Sequence, residues 1–213
     1  MTTFEQIIEC AKNQQKNILI IGSPRSGTHA LGSELCQRAN GQNLEEICKV
    51  GYCADPWDDI NKLSNSPALT TAQVVQMTPK LTLAENVDRI KQHNIVVNIR
   101  RRDKVAQFAS WIYFRVNDPT GLHGWHNHTA DKMRSTPASQ EASAHDITQF
   151  KLEQLLDDYF LPDFNLCYED LTFTHTKFKK NEFLFHLPEI FSNLDYVKEQ
   201  LDQWQYSSGH LDE

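Results

Sequence analysis

Apolar residues at Phe4, Ile7, Ile8 and Ala11 recur at helical spacing and predict a first helix over FEQIIECAK. ILII at 18–21 is an unbroken apolar run that stops at Gly22, the pattern of a strand buried on both faces. Residues 28–39 read as a helix with Ala30, Leu31 and Leu35 inward. A strand is predicted over 73–77, ended by Pro79, and a helix over 81–92. A further strand covers 94–100, where Ile95, Val96, Val97 and Ile99 are β-branched. Val105, Phe108, Ala109, Ile112 and Val116 then form one helical stripe over 103–116. The polar stretch 117–144 predicts a long loop, read as a lid. Residues 146–161 return to helical spacing, FNLCY at 164–168 to a strand, and 194–204 to a helix.

Strands alternating with helices predict an α/β fold: a P-loop-like, doubly wound, mostly parallel sheet flanked by helices. A chain of 213 residues fits a single domain, 1–213, carrying the lid at 117–144.

Composition narrows the class. The longest apolar run, Ile18–Ile21, is far too short to span a membrane, and the polar N-terminus lacks a signal-peptide core. The five scattered cysteines read as reduced thiols, which predicts a cytoplasmic protein. The formal net charge of −7 is uneven: residues 1–140 are net positive and 141–213 strongly negative. The tightest cationic cluster is Arg100, Arg101, Arg102 and Lys104. Such a cluster suits one local anion site rather than a nucleic-acid face. No membrane or nucleic-acid partner is expected. The oligomeric state is not legible.

The chemistry concentrates in ILIIGSPRSGTHALGSEL. A buried strand runs into a Gly-rich turn and then a helix, aiming backbone N–H groups and the positive helix end at an anion. Gly22 and Gly27 have the G-x-x-x-x-G spacing of a P-loop. A nucleotide hydrolase continues with Lys and then Ser or Thr; this chain has Thr28 and His29. Instead a cation lies inside the turn, Arg25, whose guanidinium fork matches phosphate or sulfate oxygens. Ser26 and Thr28 add hydroxyls.

A second constellation is VVNIRRRDKVAQFAS, residues 96–110. It delivers three arginines at a strand's carboxyl end, where open parallel sheets bind ligands. Asp103 is positioned to cap the next helix, and Arg102 and Ser110 to hold a phosphate near its start.

S-P-R-S-G-T before a helix resembles the 5′-phosphosulfate loop of sulfotransferases that use 3′-phosphoadenosine-5′-phosphosulfate (PAPS). R-R-D-K-x-x-Q-x-x-S resembles their 3′-phosphate motif, as in the bacterial trehalose and Nod-factor branch. YEDL, Tyr168–Leu171, also resembles a segment of that superfamily. The resemblance spans roughly residues 17–175 and implies a transferase with PAPS as co-substrate and no metal. It implies that Ser23, Pro24, Arg25, Ser26, Gly27 and Thr28 hold the phosphosulfate, and that Arg102 and Ser110 hold the 3′-phosphate. Arg100 and Arg101 stay open, because neighbours on a strand point to opposite faces. The adenosine-binding K-x-G-x-x-G of the cytosolic animal enzymes is absent, and FKKN at 178–181 is its weak substitute.

Transfer to a hydroxyl needs a base. Glu46 of NLEEIC, in the loop after the Gly-rich turn's helix, matches the branch's N-L-x-E-[IF] pattern, with Glu45 as the alternative. His29 is expected near the transferring group. Arg25 would stabilise its charge. His123, His126 and His128 lie in the lid; loop histidines without a supporting carboxylate are poor metal ligands. Trp125 and these histidines suit a sugar ring, and the expected acceptor is a small-molecule or glycan hydroxyl. Glu34 is read on an outer helix face, and Glu169 and Asp170 as turn caps. The alternatives are a P-loop kinase or hydrolase, and a non-catalytic nucleotide-binding relative.

Overall fold

The computed structural model describes residues 2–48, 55–75, 84–117, 141–155, 162–174 and 191–207. Five strands form one all-parallel sheet: β1 (Asn17–Ile21), β2 (Asn43–Glu46), β3 (Thr71–Val74), β4 (Asn94–Arg100) and β5 (Phe164–Cys167). Their order across the sheet is β2-β3-β1-β4-β5. The helices are α1 (Thr3–Asn13), α2 (Thr28–Ala39), α3 (Pro56–Ser64), α4 (Ala84–His93), α5 (Lys104–Asn117), α6 (Ala144–Leu155) and α7 (Leu194–Ser207). The chain divides into two compact units: 1–102 with 152–179, and 103–151 with 180–213. No described helix is long and apolar enough to cross a membrane.

The first unit holds the sheet. All five residues of β1 are buried. Alternation sends Leu19 and Ile21 to one face, against Ile60 and Leu63 of α3 and Val87 and Ile90 of α4. Ile18 and Ile20 go to the other, against Phe4 and Ile7 of α1 and Leu31 and Leu35 of α2. Burial on both faces is why ILII, and Ile95–Val97 within β4, read as unbroken apolar runs. α1 begins with a reciprocal cap: the Glu5 N–H donates to Thr2 Oγ1 at 3.3 Å, and the Thr2 N–H to Glu5 Oε2 at 2.7 Å.

Two elements depart from the sequence reading. Residues 43–46 form an edge strand rather than a loop, because Asn43 and Glu46 pair with Thr71 and Gln73 of β3. α3 escaped the periodicity search, although Asp55 accepts the Trp57 N–H at 3.2 Å and Pro56 takes the first turn, a recognisable helix start. β3 begins at Thr71, two residues earlier than predicted. The lid, apart from its ends at 117 and 141–144, and FKKN lie outside the described residues.

In the second unit Asp103 caps α5 as predicted, its Oδ1 accepting the Ala106 N–H at 2.8 Å. Phe108, Trp111, Phe150 and Phe191 form its aromatic core, with Phe108 and Phe191 stacked at 5.4 Å.

Candidate functional site

β1 lies between β3 and β4, so the chain turns out of the sheet where its connections diverge to either side. Ile21 pairs with Asn98, which brings the Gly22 turn beside the end of β4. That is where open α/β sheets take ligands.

Closeness explains the turn's glycines. A Cβ at Gly22 would stand 2.7 Å from the Ile99 carbonyl oxygen and 2.9 Å from Thr28 Cγ2. Gly27 caps α2 with φ 107°, a left-handed conformation, and a Cβ there would run into the Tyr168 ring. The Ser26 N–H donates to the Ser23 carbonyl at 3.1 Å and closes the turn. Arg25 sits at its crown with φ 72°, a region seldom occupied by residues with a side chain. Ser26 is fully buried, yet its Oγ has no hydrogen-bond partner. A buried hydroxyl left so costs about 1–3 kcal/mol.

β4 ends at Arg100, and the next residue, Arg101, turns toward the loop. Arg101 is 8% exposed, with its guanidinium 5.3 Å from the centroid of the Tyr168 ring and Nε 3.7 Å from Glu169 Oε1. Burial first, and then the Arg101 charge, hold the Arg25 guanidinium well below its ordinary value, while Tyr168 acts the other way. Arginine keeps its proton in proteins. Both guanidiniums therefore stay charged, and their repulsion is of the kind an anion relieves. Burial also pushes the Tyr168 hydroxyl up, opposed by Arg101 and Arg25.

Arg102 is turned differently. Its Nη2 donates to Asp170 Oδ2 at 2.8 Å, with both side chains more than half exposed, and its N–H donates to Glu169 Oε2 at 3.0 Å. The Asp170 hydrogen bond raises the guanidinium further. The Arg101 charge bears on Arg25, while the Arg102 side chain is paired with Asp170. Ser110 belongs to α5 in the second unit and is 1% exposed there.

His29 and Glu46 are brought together. Nε2 of His29 on the first turn of α2 is 3.8 Å from Oε2 of Glu46 at the end of β2, with about 30% of each side chain exposed. Thr28 Oγ1 lies 3.5 Å from His29 Nδ1. Glu45, the other candidate base, is exposed and has φ 60°. The imidazole and the Glu46 carboxylate thus stand within ion-pair reach, near the start of the helix that follows the loop.

Glu34 is fully buried, not on an outer face. Its carboxylate accepts from Arg38 Nε at 2.7 Å and from the Thr174 N–H and Oγ1 at 3.0 and 2.9 Å. It anchors α2 to the segment after β5. Glu169 accepts the Arg102 N–H and faces Arg101 Nε, and Asp170 pairs with Arg102, so both carboxylates bind the arginines after β4 rather than cap the short turn at 168–170. Two residues of the site escaped sequence reasoning. Tyr168 was visible only as part of YEDL, and nothing local reveals that its ring rests on Gly27. Gln73, buried at the level of Glu46, looks like any strand polar residue. His123, Trp125, His126 and His128 lie outside the described residues. No protein-family model, curated protein or solved structure matches this chain.

Proposed function

We propose that this chain is a sulfotransferase with a P-loop-like site, moving a sulfuryl group from PAPS to an acceptor hydroxyl, on a sugar or glycoconjugate, without a metal. The observation that carries the reading is the cluster at the carboxyl end of β1: Arg25 at the crown of the turn, Arg101 beside it, and a buried Ser26 hydroxyl awaiting a partner. Two cations and a hydroxyl at a strand-to-helix turn suit a polyanion. Thr28 and His29 stand where a nucleotide hydrolase needs its lysine and its magnesium hydroxyl, which favours sulfuryl over phosphoryl transfer.

In this reading the acceptor oxygen attacks sulfur in line. The bond between sulfur and the 5′-phosphate oxygen breaks, and 3′-phosphoadenosine-5′-phosphate (PAP) leaves with the bonding pair. Arg25, Arg101 and the turn's amides stabilise the charge that gathers on the leaving phosphate and the sulfuryl oxygens. The acceptor proton passes to Glu46, with His29 beside it. Arg102 serves the 3′-phosphate, and exchanging its exposed ion pair with Asp170 for a ligand is a change of small cost. The test is release of PAP from PAPS over a panel of sugar acceptors. Arg25→Ala is expected to slow it by roughly a hundredfold or more, the scale of one lost oxyanion donor. ATP turnover that requires magnesium, with PAPS untouched, would contradict the proposal.

A further inference from the structure

Glu46 reaches His29 from a strand of irregular backbone. Between Asn43 and Glu46 the register of β2 on β3 shifts, and Glu45 inside that bulge has φ 60°. A bulge re-aims the side chain that follows it. Backbone bonds pin β2 to β3 on either side, the Thr71 N–H to the Gln42 carbonyl and the Ile47 N–H to the Gln73 carbonyl, both at 2.8 Å, and within the bulge one oxygen gathers three donors. Asn43 Oδ1 accepts from the Glu45 N–H at 3.0 Å, from Thr71 Oγ1 at 3.1 Å and from Gln73 Nε2 at 2.8 Å.

The donors also settle which atom is which. A backbone N–H can only donate, so the Asn43 atom facing Glu45 is oxygen. The Gln73 atom facing that oxygen is therefore its NH2. Thr71 and Gln73 are fully buried, so this arrangement exchanges little with water. Above it, α2 contributes a glycine: a Cβ at Gly32 would stand 2.7 Å from Gln73 Cδ and closer still to Nε2. Gly32 is three residues from His29 and shares its helix face. One face of α2 therefore carries both the imidazole and the gap that admits the Gln73 carboxamide.

We propose that Asn43 is a positioning residue that aims Glu46 at His29, locked from beneath by Thr71 and Gln73 in the space Gly32 leaves. The catalytic meaning of the lock rests on the reading of Glu46 as the acceptor base; the lock itself does not.

The test follows the His29 imidazole in the whole 15N-labelled protein by histidine ring NMR, with His29→Gln to assign its signal. Glu46→Gln is expected to move that signal. Asn43→Ala is expected to move it in the same sense. Gly32→Ala provides a second route should Asn43→Ala fail to fold: its methyl displaces the Gln73 carboxamide and is expected to reproduce the shift. The proposal is overturned if Glu46→Gln moves the signal while the folded Asn43→Ala or Gly32→Ala protein leaves it in place. It is equally overturned if Glu46→Gln moves nothing. Absence of PAPS turnover in every form would instead sink the sulfuryl-transfer reading and leave the imidazole result standing.

Discussion

The ring of Tyr168 stands where any side chain at position 27 would have to go. A Cβ there would lie 2.8 Å from Tyr168 Cε2, and Gly27 has φ 107°. The tyrosine that supports Arg101 thus also fits the turn that carries Arg25. Gly27→Ala is expected to destabilise by about 1–3 kcal/mol from backbone strain alone. That corresponds to a melting temperature lower by roughly 2–4 °C per kcal/mol in a chain of this size. Adding Tyr168→Ala removes the clash and leaves the strain. The double variant is therefore expected to lose less than the sum of the two singles, and additive losses in thermal melts would show that the ring does not constrain the turn.

Arg101 and Arg102 are expected to act on different parts of the nucleotide. Arg101 stands beside Arg25, whereas Arg102 is exposed on Asp170. Arg101→Ala is expected to weaken PAP and 5′-AMP alike, by roughly tenfold or more, the scale of one hydrogen bond between charged groups. Arg102→Ala is expected to weaken PAP far more than 5′-AMP. Equal losses for Arg102→Ala in calorimetric titrations would remove that residue from the 3′-phosphate.

What could be read from the sequence followed from burial. ILII, and Ile95–Val97 of β4, put apolar residues on both faces, as a central strand of a parallel sheet requires, so β1, β4 and the turn between β1 and α2 were legible. β2 was not. NLEE has no β-branched residue and one hydrophobic side chain, and its extended form is imposed by Thr71 and Gln73 on the neighbouring strand. The turning of Arg101 toward the loop was also hidden, because strand alternation stops at Arg100, where β4 ends. Glu34 looked like a solvated helix residue because its partner Thr174 is 140 residues away.

Glu34→Ala is expected to be costly for that reason. The carboxylate is fully buried, and its loss leaves Arg38, four-fifths buried, without its ion-pair partner. Breaking a buried pair costs about 3–5 kcal/mol. A loss below about 1 kcal/mol in urea unfolding would show that the Thr174 hydroxyl, which already accepts from Arg38 Nη2 at 2.9 Å, and water suffice for Arg38.

The N-terminal cap gives a pH signature. The hydrogen bond from the Thr2 N–H holds the Glu5 carboxyl below its ordinary value. A lowered carboxyl stabilises the folded state above its unfolded pKa, about 4.3, and loses that contribution as pH falls through the folded value. Glu5→Gln keeps the acceptor and removes the charge. Its urea midpoint is expected to fall below wild type at pH 7, with the gap closing at pH 3. A gap that persists at pH 3 would trace the cap's effect to something other than ionisation.

In the proposed function the Arg25 turn and the arginines after β4 hold a nucleotide bearing phosphates at both its 3′ and 5′ positions. Calorimetric titration of the wild-type protein with PAP and with ATP, each with and without magnesium, tests it most directly. Tight PAP binding indifferent to magnesium, with ATP weaker, is the predicted result. Binding of ATP that is tighter than PAP and requires magnesium would contradict it.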